Sequence, residues 1–253
     1  MSLQLPQLPL DPNAAFPPPG TALVEPDGLL AFGGDLSPER LLNAYSNGIF
    51  PWYSDDEPIL WWSPSRRAVF RTDAVRLPTR LRRSLRGSNW IVRMDTAFER
   101  VIAACASARR AGQRGTWITP SMQSAYIALH RLGHAHSVEV FDGSVPGGGR
   151  LVGGLYGLNV GRMFCGESMY SAESGASTVA LVALARHLDQ RGWPLVDAQV
   201  PNDHTRRLGV ETWSRDDYMQ ALAGLLDADE PPGNWAAIFR GQPVSLLAAT
   251  APV

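Results

Sequence analysis

The chain contains no lysine: all 23 of its basic residues are arginine. That excludes Schiff-base chemistry, a pyridoxal-type lysine anchor and the lysine of a phosphate-binding P-loop. A codon bias toward arginine accounts for the pattern, and so does a need for the guanidinium fork that fits phosphate; the exclusions hold either way. Cysteine is nearly absent, with only Cys105 and Cys165. Two cysteines supply neither a disulfide framework nor a zinc pattern, and they point to a reduced, cytoplasmic setting. No apolar run approaches the ~20 residues needed to span a bilayer. The proline-rich stretch from Met1 to Gly20 has no basic leader, so neither a secretory signal nor a membrane partner is expected. What remains, 253 residues with 45% hydrophobic and 19% charged, is an ordinary globular mixture, large enough for one large or two modest domains.

The formal charge of −1 conceals a segregation. Between Arg66 and Arg114 stand thirteen arginines against Asp73, Asp95 and Glu99. Arginines on solvated helix faces are the plain explanation, but a surplus of ten in one block favours an anionic partner, of which nucleic acid is the commonest large one. Just before it, Gly48-Ile49-Phe50-Pro51-Trp52-Tyr53 and Pro58-Ile59-Leu60-Trp61-Trp62-Ser63-Pro64 hold three tryptophans, a tyrosine and three prolines. Proline fixes φ and removes donors, so this is a stiff, irregular scaffold. It suits either a proline-bounded joint with its tryptophans in the core or a site that grips something flat.

Ser37 caps a short helix opened by Pro38 and stopped near Asn47-Gly48. Arg80 to Arg86 reads as a basic helix, Ile91 to Asp95 as a strand, and Phe98 to Ala106 as a helix with apolar spacing. Pro120 opens a helix that stops at Gly133, with Met122, Ala125, Tyr126 and Leu129 on one face. His136–Phe141, Leu151–Leu158 and Met163–Met169 read as strands, the last two closed by a hairpin at Asn159-Val160-Gly161-Arg162. A long apolar helix, Ala176–Gln190, a buried strand, Leu195–Val200, and a final helix, Tyr218–Leu226, follow. The pattern is α/β or α+β, with helices flanking a central, mostly antiparallel sheet. The proline- and glycine-bearing tail is expected to be irregular.

Several motifs fail on their own terms. Gly166-Glu167-Ser168-Met169-Tyr170 lacks the second glycine of a nucleophile elbow. Gly153-Gly154-Leu155-Tyr156-Gly157 lies inside a strand pattern and opens no helix, so close backbone approach or a bulge explains it better than a dinucleotide fingerprint. His130, His134 and His136 are separated by the helix stop at Gly133, which spoils a zinc-helix spacing, and no metal is expected. Glu167 sits among apolar residues and must be paired or bind something positive. Asp197 and Gln199, two apart on the predicted strand Leu195–Val200, point to one side, either as a hydrogen-bonded strand end or as a used pair.

Gly28–Ser37, Tyr45–Ser63, Gly115-Thr116-Trp117-Ile118-Thr119, Ala135–Glu139, Gly153–Met169 and Asp197–His204 together resemble the leucyl/phenylalanyl-tRNA–protein transferase family. The blocks Gly-Ile-Phe-Pro-Trp and Phe-Cys-Gly-Glu-Ser-Met are the specific ones. The resemblance implies a small N-terminal domain (residues 1–65), a larger acetyltransferase (GNAT)-like catalytic domain (66–230) that uses no coenzyme A or other cofactor, and a C-terminal extension (231–253). It implies transfer of Leu, Phe or Met from aminoacyl-tRNA to proteins beginning with Arg or Lys, which marks them for N-degron proteolysis, by a cytoplasmic monomer.

For the site, the resemblance implies Asp197 and Gln199 at the reaction centre. A neutral amide is too weak a base to take the amine's proton, so Gln199 is expected to aim the amine, with Asp197 orienting it. The resemblance places Leu155, Phe164, Met169, Leu184 and Val196 around the donor side chain. Glu167 is expected to meet the aminoacyl α-ammonium, Asn202 to contact substrate, and Trp52 and Trp117 to stack on the terminal adenosine. Arg80, Arg82 and Arg83 are the expected phosphate contacts on tRNA. The family usually has lysine at Thr178 and cysteine at Ala198, departures that leave the proposed pair intact. Two rivals are a non-catalytic RNA-binding module and an acyl-CoA-dependent acetyltransferase using Gly147-Gly148-Gly149-Arg150.

Overall fold

The computed structural model describes residues 5–108, 116–143, 149–226, 232–239 and 241–249. Arg109, Arg110 and Arg114 of the basic block, Gly115, and Gly147-Gly148 of the rival glycine loop lie outside the described residues. Among the described residues the chain forms two sheets.

The smaller sheet runs β1-β2-β4-β3, from β1 (Gln7–Leu8), β2 (Leu29–Gly33), β3 (Phe50–Pro51) and β4 (Leu60–Trp62). Helix α1 (Pro38–Ser46) starts as expected, with the Ser37 hydroxyl accepting from the Arg40 amide, and ends at Gly48 with φ +69°. Arg40 is buried and ties down the proline-rich lead by donating to the carbonyls of Pro9, at 2.7 Å, and Asp11.

The larger sheet has the order β11-β5-β10-β9-β8-β7-β6-β12. Its elements in chain order are β5 (Arg66–Arg71), α2 (Thr79–Leu85), β6 (Trp90–Met94), α3 (Phe98–Ser107), α4 (Pro120–Arg131), β7 (Ala135–Asp142), β8 (Leu151–Val160), β9 (Met163–Ser171), α5 (Ala176–Gln190), β10 (Leu195–Asp197), α6 (Asp203–Arg207), β11 (Glu211–Ser214), α7 (Arg215–Leu226), β12 (Gln242–Pro243) and α8 (Val244–Ala249). Every pairing is antiparallel except β9 with β10, which run parallel because α5 crosses between them. The mixed α/β architecture with a mostly antiparallel sheet therefore stands.

One face of this sheet packs against α3, α4, α7 and the N-terminal sheet, in a single core that runs from Leu30 and Trp61 to Met122 and Leu222. The other face packs against α5, α2 and α8. Among its described residues the C-terminal tail is not wholly irregular: β12 pairs with β6, and Val244, Leu247 and Ala248 bury one side of α8. Its glycines and prolines signalled breaks, but the i, i+3, i+4 apolar spacing after Pro243 outweighs them. The strand predicted over Leu195–Val200 also ends early, at Asp197, because Gln199 takes φ +51° and leaves the ladder.

Candidate active site

Two polar clusters, the first fully buried and the second half-buried, meet where β10 ends beside the middle of β9. The first is built on Asp197, the last residue of β10, and Arg67 on β5, which are 0% and 1% exposed. An isolated buried carboxylate would be costly. Here it is bidentate with the guanidinium, Arg67 Nε to Oδ1 at 2.9 Å and Nη2 to Oδ2 at 2.6 Å. The Tyr218 hydroxyl on α7 donates to Oδ2 at 3.0 Å. Arg67 Nη1 donates to the Gly48 carbonyl at 3.0 Å, and the guanidinium lies over the rings of Phe50 and Tyr218. Arg67, counted above in the basic block, is thus a buried structural cation. Cys165, paired with Asp197 across the strands, has its thiol pushed well up by burial and by that carboxylate, so it is no nucleophile.

Asp197 and Gln199 do not share a strand face. Instead Asp197 Oδ1 accepts the Gln199 backbone N–H at 2.9 Å, which holds the left-handed turn. The Gln199 side chain points to the second cluster, where its Nε2 donates to Glu167 Oε1 at 3.0 Å. Glu167 also accepts from the Tyr45 hydroxyl of α1 at 2.7 Å and the Tyr126 hydroxyl of α4 at 2.9 Å, and the two hydroxyls touch each other. Burial pushes the Glu167 carboxyl up to about 7, with Asp197 adding to the rise; the two tyrosines and Arg67 pull the other way. Tyr45, Tyr126, Tyr218 and Arg67 do not stand out in the sequence as site residues, because each reads there as core or as one arginine among many.

Glu167 owes its orientation to a bulge. Tyr156 pairs with Ser168 and Gly157 with Gly166, which leaves Glu167 as the extra residue on β9. The bulge reverses the strand's alternation, so Phe164 and Met169, five apart, reach the same apolar face. There they join Leu155, Leu184 and Val196, so the five residues expected around the donor side chain all belong to the apolar cluster on this face. Gly157 makes room for this: a Cβ there would stand 2.0 Å from the Cys165 carbonyl oxygen and 2.6 Å from the Phe164 ring.

Trp52 and Trp117 line one cleft of about 1150 Å³, with Tyr53, Trp62, Ile118 and Gln123. Trp52 is 43% exposed, and Asp55, Asp56 and Glu57 stand on the rim. Helix α4 joins this cleft to the carboxylate cluster: Pro120 and Gln123 belong to the wall, and Tyr126 reaches Glu167. Asn202 is the cap of α6, its side-chain oxygen accepting from the amides of His204 and Thr205, both at 2.9 Å. Arg80 and Arg83 are exposed and Arg82 half-buried on α2, whose Leu81 packs against Gly175 before α5. That places the basic helix on the α5 side of the sheet and the tryptophan cleft on the other, so the structure does not bring these two sets together.

Two family models match the chain: leucyl/phenylalanyl-tRNA protein transferase over residues 69–223, and the N-terminal domain of that transferase over residues 34–65. The leucyl/phenylalanyl-tRNA–protein transferase of Xanthomonas euvesicatoria pv. vesicatoria (strain 85-10) is 61% identical over 238 residues, covering 94% of this chain and 93% of that protein. That of Xylella fastidiosa (strain M23) is 54% identical over 228 residues, covering 90% and 92%. Among solved structures the fold is similar to FemX, with a TM-score of 0.47 and 11% identity over 70% of this chain and 66% of that one. It is also similar to L-PGS from Bacillus licheniformis, with a TM-score of 0.41 and 9% identity over 80% and 74%. The sequence identities, sustained across nearly the whole chain and through both matched segments, decide the matter: the chain belongs to the leucyl/phenylalanyl-tRNA–protein transferase family.

Proposed function

We propose that the chain, an aminoacyltransferase by family, moves Leu, Phe or Met from aminoacyl-tRNA to the α-amine of proteins that begin with Arg or Lys. The products enter N-degron proteolysis, and the enzyme works as a cytoplasmic monomer of two domains (1–65 and 66–230) with a C-terminal extension. Family membership sets aside the RNA-binding and acetyltransferase alternatives. The observation that carries the site reading is the double restraint on Gln199, held through its backbone by Asp197 and through its side-chain nitrogen by Glu167.

An aminoacyl ester already reacts with amines, so the protein has to align two substrates and manage a proton. The acceptor α-amine has a reference pKa of ~7.7–8.0 and is in part neutral at neutral pH. With Nε2 engaged by Glu167, the Gln199 carbonyl oxygen is left to accept an amine N–H and aim the nitrogen lone pair at the ester carbon. The C–N bond forms, the bond to the ribose oxygen breaks, and the amine's surplus proton ends on the departing hydroxyl. Asp197 acts by fixing the Gln199 turn. Glu167 meets the donor's α-ammonium and ionises as that charge arrives. The donor side chain lies among Leu155, Phe164, Met169, Leu184 and Val196, with the terminal adenosine between Trp52 and Trp117, Asn202 near the substrate, and tRNA phosphates along Arg80, Arg82 and Arg83.

The deciding assay incubates the protein with labelled Leu-tRNA and peptides differing only in their first residue. Label on Arg- and Lys-initiated peptides and none on Glu- or Ala-initiated ones is expected. Equal labelling of all four would overturn the acceptor assignment.

A further inference from the structure

Asp95 and His136 form a buried pair that the transfer reaction does not use. Asp95 sits at φ +55° after β6; its Oδ1 accepts the Ser137 amide at 2.9 Å, and its Oδ2 accepts His136 Nδ1 at 2.8 Å. Oδ2 also accepts the backbone N–H of Trp235, at 2.7 Å, from the C-terminal segment 140 residues away. The indole lies flat on the His136 ring, with centroids 3.9 Å apart and planes 2° apart, and is 3% exposed. A carboxylate on its backbone N–H and an imidazole on its ring thus hold one tryptophan.

What that tryptophan touches gives the clamp a purpose. Its ring centroid is 5.7 Å from that of Phe164. In the sheet, His136 pairs with Gly157, and the Phe164 ring fills the space over Gly157. Trp235 over His136 and Phe164 over Gly157 are therefore side by side in one row. Along the same face, the next row is Val138, Leu155 and Met169. On the reading that Phe164, Leu155 and Met169 surround the donor side chain, the indole stands against Phe164 on its His136 side. Trp193, 6.3 Å away at 71°, and His187, 5.2 Å away, close off the indole from behind.

We propose that Trp235 is a positioning residue that sets the depth of the donor side-chain pocket by bracing Phe164, and that Asp95 and His136 are its clamp. The C-terminal segment then contributes to selection among Leu, Phe and Met without touching the reacting atoms. Removing the indole lets Phe164 retreat and deepens the pocket, which favours the larger donor.

The test is steady-state transfer to one Arg-initiated peptide by the full chain, with Leu-tRNA and Phe-tRNA as alternative donors. Trp235→Leu is expected to raise the ratio of kcat/KM for Phe over Leu by about fivefold or more, the scale of small volume changes in apolar pockets, with binding of uncharged tRNA unmoved. Trp235→Phe, which keeps a ring, is expected to move the ratio the same way by less, and it decides the matter if the leucine variant does not fold. A ratio unchanged within twofold in the folded variant, with both donors falling together, would overturn the proposal and leave Trp235 a purely structural residue. Phe164→Ala separates the two levels: if it leaves the ratio unmoved as well, the pocket assignment itself fails; if it shifts the ratio while the Trp235 variants do not, only the bracing role fails.

Discussion

At the scale of single residues the site turns on Glu167. Its carboxyl sits near 7 against an unfolded value of about 4.3, so folding favours the protonated form. For a carboxyl raised in this way, native stability falls as pH climbs from about 4.3 to about 7 and is flat beyond. Glu167→Gln removes that slope. Urea unfolding of variant and parent should differ little at pH 5, with the variant ahead by about 1–3 kcal/mol at pH 8, while its transfer activity is lost. Gln199→Glu is the sharper probe of the mechanism. The new carboxylate would face Glu167 in place of an amide now 3.0 Å away, and the two cannot both ionise. Transfer by this variant should be nearly absent at pH 8 and partly recovered at pH 6, the reverse of the parent's trend. A variant with the parent's pH profile would show that Gln199 does not face Glu167 during catalysis.

At the scale of elements, the β9 bulge and helix α2 are open to separate tests. Gly157→Ala drives a methyl into a backbone carbonyl and the Phe164 ring and should destabilise the fold by about 1–3 kcal/mol in denaturant titration. Replacing Arg80, Arg82 and Arg83 by Ala on α2 should weaken tRNA binding equally for every tRNA and flatten its dependence on salt; unchanged affinity and slope would move the tRNA site off this helix. The elements themselves were largely legible in the sequence. Capping and breaker residues gave the starts and stops of α1 and α4, because Ser37, Pro38, Pro120 and the glycine stops act locally, and α5 followed from its long apolar run. The bulge was half legible: the glycines of Gly153–Gly157 announced a bulge or a close backbone approach, but that Glu167 on the facing strand is the extra residue depends on a register between strands. The strand β5 was missed because its flanking arginines read as a charged surface, and the turn at Gln199 because nothing in Leu195–Val200 announces a positive φ outside glycine. The polar clusters followed the same division: Asp197, Gln199 and Glu167 stood out by their company, whereas Tyr45, Tyr126 and Arg67 join them only once distant elements meet.

At the scale of the whole molecule, Arg67 is the tie. Through Gly48 and Phe50 it holds the N-terminal sheet, through Asp197 the centre of the large sheet, and through Tyr218 helix α7. Arg67→Met leaves Asp197 buried without a counter-charge and should destabilise the protein by about 3–5 kcal/mol, read as a shift in the urea midpoint. Helix α4 spans the molecule in another sense. Pro120 at its first turn belongs to the tryptophan cleft, and Tyr126 touches Glu167; six residues separate them, or about 9 Å of helix rise. If a nucleobase occupies the cleft and an ammonium meets the carboxylate, α4 is a ruler laid between the two ends of one substrate. Selection then has a component of length that is independent of which side chain the donor carries: an ester whose base and amine are spaced differently would satisfy one end of the helix and miss the other.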